Sequence, residues 1–78
     1  MKQSRIIDGR QMQPPEPFEK TMEALDDLPD GEELVLLLYR DPQPLYRALG
    51  LSGYRHETAL LADGTREIRI WRLAGSAP

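Results

Sequence analysis

Glu33-Leu34-Val35-Leu36-Leu37-Leu38-Tyr39-Arg40-Asp41-Pro42 is the stretch from which the fold can be read. It holds the most hydrophobic run of the chain, and its length suits a strand buried on both faces, or nearly so, in the middle of a sheet. Asp41-Pro42 then reads as an N-cap followed by proline at the first helical position. The helix it opens should run from about Pro42 to Leu51, with Leu45, Leu49 and Ala48 facing inward. Gly50 or Gly53 can end it by taking a left-handed backbone.

Downstream, residues 54–61 read as a strand, Ala62-Asp63-Gly64-Thr65 as a hairpin turn, and residues 66–73 as the returning strand. Upstream, Ser4-Arg5-Ile6-Ile7-Asp8 reads as a short strand closed by Asp8-Gly9. Pro14-Pro15-Glu16-Pro17 opens a helix that runs to Leu28, where Pro29-Asp30-Gly31 stops it. Phe18, Met22, Leu25 and Leu28 recur at helical spacing as its apolar stripe. Glu16, Glu19, Glu23, Asp26 and Asp30 form an acidic stripe on the other side.

The order is therefore β-α-β-α-β-β, which predicts an α/β two-layer sandwich with both helices on one face of a four-stranded mixed sheet. The first crossover should be right-handed and the last hairpin antiparallel. One domain over residues 1–78 is expected, ordered from about 4 to 73, with a flexible tail at 74–78.

Composition narrows the chemistry. The chain has 78 residues, 40% hydrophobic and 29% charged, with formal net charge −3. No apolar run approaches the roughly 20 residues of a membrane helix, and nothing near Met1 reads as a signal peptide, so a cytoplasmic location is expected. There is no cysteine, which removes disulfides, thiolate metal sites and cysteine nucleophiles from this chain. The single histidine, His56, has no companions with which to share a metal. No glycine-rich phosphate loop, Ser-His-Asp set or metal spacing is present, so the expectation is a protein that is not an enzyme and carries no cofactor.

The stretch Ile7-Asp8-Gly9-Arg10-Gln11-Met12-Gln13-Pro14-Pro15-Glu16-Pro17 resembles the opening of the TusA/SirA-like sulfur-carrier family. There a strand ends in Leu-Asp and x-Arg-Gly-Leu-x-Cys-Pro-x-Pro starts the first helix. Asp30-Gly31-Glu32, Arg40-Asp41-Pro42 and Gly53-Tyr54 extend the likeness over residues 5 to 73. The resemblance implies sheet order 1-2-4-3. Gln11 stands where the family has glycine, and Pro14 stands where it has the sulfur-accepting cysteine. The chain is thus similar to the cysteine-lacking bacterial and archaeal branch with Pro-Pro-x-Pro, whose members are largely of unknown function. Some of those are fused to, or encoded beside, hemerythrin-like and nitrogen-oxide respiratory proteins.

Two contact surfaces follow. Asp8, Arg10, Pro14, Pro15, Glu16 and Pro17 would be a docking surface retained without the family's chemistry, or simply a braced loop and a helix start. Val35, Leu37, Tyr39 and Trp71, with Leu73, would be an apolar patch on the uncovered sheet face, because strand side chains alternate. Between Glu16 and Glu33 eight acids face Lys20 alone, a local balance of −7 that could steer a basic partner or be a solvated helix face. Residues 1–15 and 34–78 each carry +2, which restores the total of −3. Arg55, His56, Arg66, Arg69 and Arg72 gather on the last hairpin, but the isoelectric point near 5.0 argues against nucleic acid. Cross-strand pairing among Glu57, Arg66, Glu67 and Arg69 accounts for most of those charges.

The expected role is a protein-interaction or accessory domain, with a sulfur-relay or respiratory, hemerythrin-type partner, or a second copy. Two alternatives stay open: a divergent relay participant that uses a partner's cysteine, and a small anion- or ligand-binding module using Arg10 and nearby helix N–H groups.

Overall fold

A computed structural model describes residues 4–29 and 31–72. The elements are β1 (Ser4–Asp8), α1 (Glu16–Asp26), β2 (Glu33–Leu38), α2 (Gln43–Leu51), β3 (Tyr54–Leu60) and β4 (Arg66–Arg72). They form one four-stranded sheet in the order β1-β2-β4-β3. β1 is parallel to β2, and β4 runs antiparallel to both β2 and β3. The expected order and topology are those of the structure. The frayed tail at 74–78, the last strand residue Leu73 and the acid Asp30 lie outside the described residues.

The core lies between the sheet and both helices. Leu34, Leu36 and Leu38 of β2 and Ile68 and Ile70 of β4 pack with Leu25 and Leu28 of the α1 region and Leu45 and Leu49 of α2. The register sets Leu34 against Ile70 and Leu36 against Ile68, so these side chains share one face. At about 25 cal/mol per Å² of apolar area removed from water, such a leucine-isoleucine cluster is the main stabilising term of so small a fold. Tyr54 of β3 donates its O–H to the Leu25 carbonyl at 3.3 Å, tying the edge strand to α1.

Three local expectations need correction. Leu25 and Leu28 of the expected α1 stripe are buried and Met22 packs against the core, but in the first two turns the buried residues are Pro17 and Thr21 rather than Phe18. Phe18 is 36% exposed. A proline ring and a threonine methyl fill the space against the sheet, which leaves the aromatic ring at the margin. Asp41 does not cap α2: Pro42 is its N-cap residue, with no side-chain cap bond. Tyr39 and Arg40 lie beyond the end of β2 as an exposed bend, so Tyr39 does not belong to the uncovered sheet face. Of the two glycines offered as the stop of α2, Gly53 takes the left-handed backbone, with φ of 83°.

Among the described residues no helix is long and apolar enough to cross a membrane.

Candidate functional site

β1, β2 and β3 point the same way, so the β1–α1 loop, the β2–α2 loop and the β3–β4 turn meet at one end of the sheet. In α/β sheets ligands gather at this carboxyl end of the strands. Here the first two loops border a groove of about 580 Å³.

Both helices begin in the same way, Pro15-Glu16-Pro17 at α1 and Pro42-Gln43-Pro44 at α2, with proline at N-cap and again at N2. Proline fits the first turn because its fixed φ suits a helix and its missing N–H had no intrahelical partner. The groove is consequently walled by Pro14, Pro15, Pro17, Pro42 and Pro44, with Met12, Phe18 and Tyr39 beside them. Leu36, Leu38 and Leu45 contribute its inner lining from the core. The polar side chains at its rim are Arg10, Gln13, Arg40 and Asp41.

Gly9 sets how closely β1 and β2 approach at the groove. Its N–H donates to the Leu37 carbonyl at 2.8 Å. A Cβ there would stand 2.8 Å from Leu38 Cδ2 and 3.3 Å from the Leu37 oxygen.

Two arginines hold the loops. Arg10 donates from Nε to Asp8 Oδ1 at 2.9 Å and from Nη2 to Oδ2 at 2.8 Å, while its backbone N–H also donates to Oδ1 at 3.1 Å. This forked pair holds the Asp8 carboxyl down at about 2, from an ordinary 3.8, and its hydrogen bond raises the Arg10 guanidinium. Arg10 Nη1 also stands 3.9 Å from Asp63 Oδ2 in the β3–β4 turn. The Thr65 backbone N–H, 2.9 Å from Asp63 Oδ1, lowers that carboxyl too.

The second clamp is Arg66. Its Nη1 donates to the Tyr39 carbonyl at 3.1 Å and to the Gly64 carbonyl at 2.9 Å, and its Nε lies 3.8 Å from Asp41 Oδ1. Asp41 also accepts the Tyr46 O–H at 3.2 Å. Tyr46 shares a 2.7 Å hydrogen bond with the Thr58 hydroxyl and stacks on His56, with ring centres 4.3 Å apart. Burial raises the Tyr46 phenol above its ordinary value. His56 is thus a stacking partner of α2 on the edge strand.

The first candidate set divides. Pro14, Pro15 and Pro17 line the groove, Arg10 stands at its rim, and Asp8 braces Arg10 from the neighbouring side. Glu16 is exposed and outside the lining. Phe18, Tyr39, Met12, Pro42 and Pro44 were not among the sequence candidates for this surface. The signal that finds them is the repeated Pro-x-Pro, each placed after a strand that runs parallel to the other.

On the sheet face that no described element covers, the register aligns Ile6, Val35, Arg69 and Glu57 in one row, and Asp8, Leu37, Glu67 and Ala59 in the next. Trp71 lies between Glu33 and Arg55. Val35 is only 8% exposed, Leu37 and Trp71 are half-buried, and Ile6 at the edge is 67% exposed. A patch of charged and apolar residues results. Arg69 pairs with Glu57 at 3.4 Å as the cross-strand reading expected, whereas Arg66 faces the helix side and serves the loops. Arg72 lies over the Tyr54 ring at 5.8 Å. The basic residues of the hairpin are therefore split between two faces and make no single surface.

Among the described residues no group of three or more His, Cys, Asp or Glu side chains is placed to hold a metal ion. No curated protein and no solved structure matches the chain. A family model matches residues 6–72, from β1 to the end of β4, and covers every loop that builds the groove. The chain belongs to the family described as an uncharacterized conserved protein, DUF2249.

Proposed function

We propose that this domain is a non-catalytic protein-interaction module that receives its partner in the groove between the two Pro-x-Pro helix starts. The observation that carries the reading is the groove itself: a concave surface of about 580 Å³ walled by prolines, Phe18 and Tyr39. Rigid rings pre-order such a wall, so little conformational entropy is lost when a partner docks. Aromatic side chains beside a concave apolar surface are the usual anchors of an interface.

The same reading treats the domain as a TusA-like fold that has exchanged the sulfur-accepting cysteine for Pro14. Support comes from the sheet order and from the Asp8–Arg10 pair at the first loop. A sulfur-relay role would require the partner's cysteine, since this chain has none. The anion-binding reading is weaker. The prolines at N-cap and N2 of both helices remove N–H donors from the helix starts, and Arg10 is already engaged by Asp8 on two hydrogen bonds.

The test is capture of partners from native lysate on the tagged full chain, with Phe18→Ala, Arg10→Ala and Leu37→Asp variants alongside. A partner lost with Phe18→Ala and kept with Leu37→Asp supports the groove. The reverse pattern moves the contact to the uncovered sheet face. A rise in melting temperature with small anions, with no protein retained, would replace the reading by a ligand module.

A further inference from the structure

Beyond Arg10, Arg40 and Asp41 at its rim, the groove has a row of acids along its α1 side, and the geometry of the helix says where. At 100° per residue, Phe18 lies between the buried row Pro17-Thr21-Leu25 and the row Glu19-Glu23-Asp26. Phe18, with Met22 beside it, therefore stands between the apolar groove and the acidic helix face. Glu19, Glu23 and Asp26 are exposed, and among the described residues none of them makes an ion pair. Carboxylates elsewhere do pair: Asp8 with Arg10, Asp41 with Arg66, Glu57 with Arg69. Among the described residues the row Glu19-Glu23-Asp26 has no such cation.

Resting on the reading of the groove as a protein-docking site, we propose that its occupant is a basic peptide segment. An apolar side chain of the partner sits against Phe18 among the prolines, and flanking Lys or Arg residues lie along Glu19, Glu23 and Asp26. The apolar contact supplies the anchor. The carboxylate row supplies orientation and a faster encounter, and it disfavours acidic competitors. Arg40, on the α2 side of the same groove, repels a basic segment laid the opposite way. The partner is thus recognised by charge placed to one side of an apolar residue rather than by overall charge.

A random dodecapeptide library displayed on phage, selected against the immobilised full chain, tests this directly. Selected peptides should combine an apolar residue with an excess of Lys and Arg. Binding of a selected peptide, measured by fluorescence anisotropy, should fall about tenfold or more with Phe18→Ala and about tenfold with the Glu19→Lys, Glu23→Lys pair. It should also weaken as salt shortens the Debye length toward about 3 Å. Both sets of changes lie on exposed helix positions, and circular dichroism of each variant verifies the fold. Peptides that need Phe18 but carry no basic excess would overturn this inference and leave the docking site standing. Basic peptides indifferent to Phe18→Ala would overturn both, because adhesion to an acidic surface would then suffice. A library yielding no Phe18-dependent peptide at all also overturns both.

Discussion

Strand β2 carries leucine at 34, 36 and 38 on one face and Val35 and Leu37 on the other, and the two faces are buried by different means. The leucines lie under α1 and α2 and pack with the aliphatic side chains of the core. Among the described residues no layer lies above Val35, yet it is nearly as buried, with Ile6 and Arg69 flanking it in register. Arg69 pairs its head with Glu57, and an arginine in that register position can lay its methylene stem along an apolar neighbour. An apolar run in a central strand therefore reports depth in the sheet and says little about which layer supplies the cover.

The sharpest way to break the comparison is to truncate each face in turn. Leu36→Ala, at 0% exposure, should cost about 2–5 kcal/mol by denaturant unfolding, from lost transfer energy plus a cavity that cannot collapse. Leu37→Ala, on the uncovered face, should cost well under that. Equal costs would mean that the uncovered face is occupied in solution by something that excludes water as well as the helices do.

Gly9→Ala comes next. The new methyl meets Leu38 on the helix-covered side, so overpacking of about 1–3 kcal/mol is expected, offset slightly by a less flexible unfolded chain. The double variant Gly9→Ala, Leu38→Val should recover part of the loss. A neutral Gly9→Ala would show that Leu38 moves aside freely, and that the covered face is looser than its burial implies.

Thr21→Val probes the lid of that same face. Thr21 is fully buried and its hydroxyl has no hydrogen-bond partner among the described residues. Replacing the hydroxyl by a methyl should stabilise the domain by about 1 kcal/mol, because an unpaired buried polar group carries a desolvation cost. A loss of stability would mean that the hydroxyl is satisfied in solution.

The smallest effect concerns Asp8, in register with Leu37 at the rim of the uncovered face. Its folded value of about 2 lies below the ordinary 3.8. The Arg10 pair therefore stabilises the fold above the ordinary value, and that contribution fades as the pH falls through it toward 2. Carbon-13 NMR of the Asp8 carboxyl should show a midpoint near 2, returning toward 3.8 in Arg10→Ala. A midpoint already ordinary in the parent chain would dissolve the clamp.

Much of the architecture was legible in the sequence because its signals are local. The apolar run 34–38, the Asp63-Gly64 turn and the prolines before each helix mark elements by short-range chemistry. The start of the α1 face was misread, while Leu25 and Leu28 were read correctly, because Pro17 and Thr21 do not look like core residues and periodicity then selects Phe18. The groove was half legible. Its first wall lay in Pro14 to Pro17, but the second lies 27 residues further on, in Pro42 to Pro44. Only the parallel pairing of β1 with β2 brings the two together. Arg66 was invisible as a loop clamp, since its acceptors are backbone carbonyls that any residue supplies.

The β3–β4 turn has a consequence of its own. Arg10 reaches its Asp63 from one wall of the groove, and Arg66 reaches its Gly64 carbonyl while holding Tyr39 on the other. The turn is thus a shared strut that carries both walls without lining the space between them. A substitution at residues 62–64 would shift how the two walls are held while leaving every residue that lines the groove unchanged. A change at the hairpin tip would therefore act on the groove from a distance, through the two arginines alone.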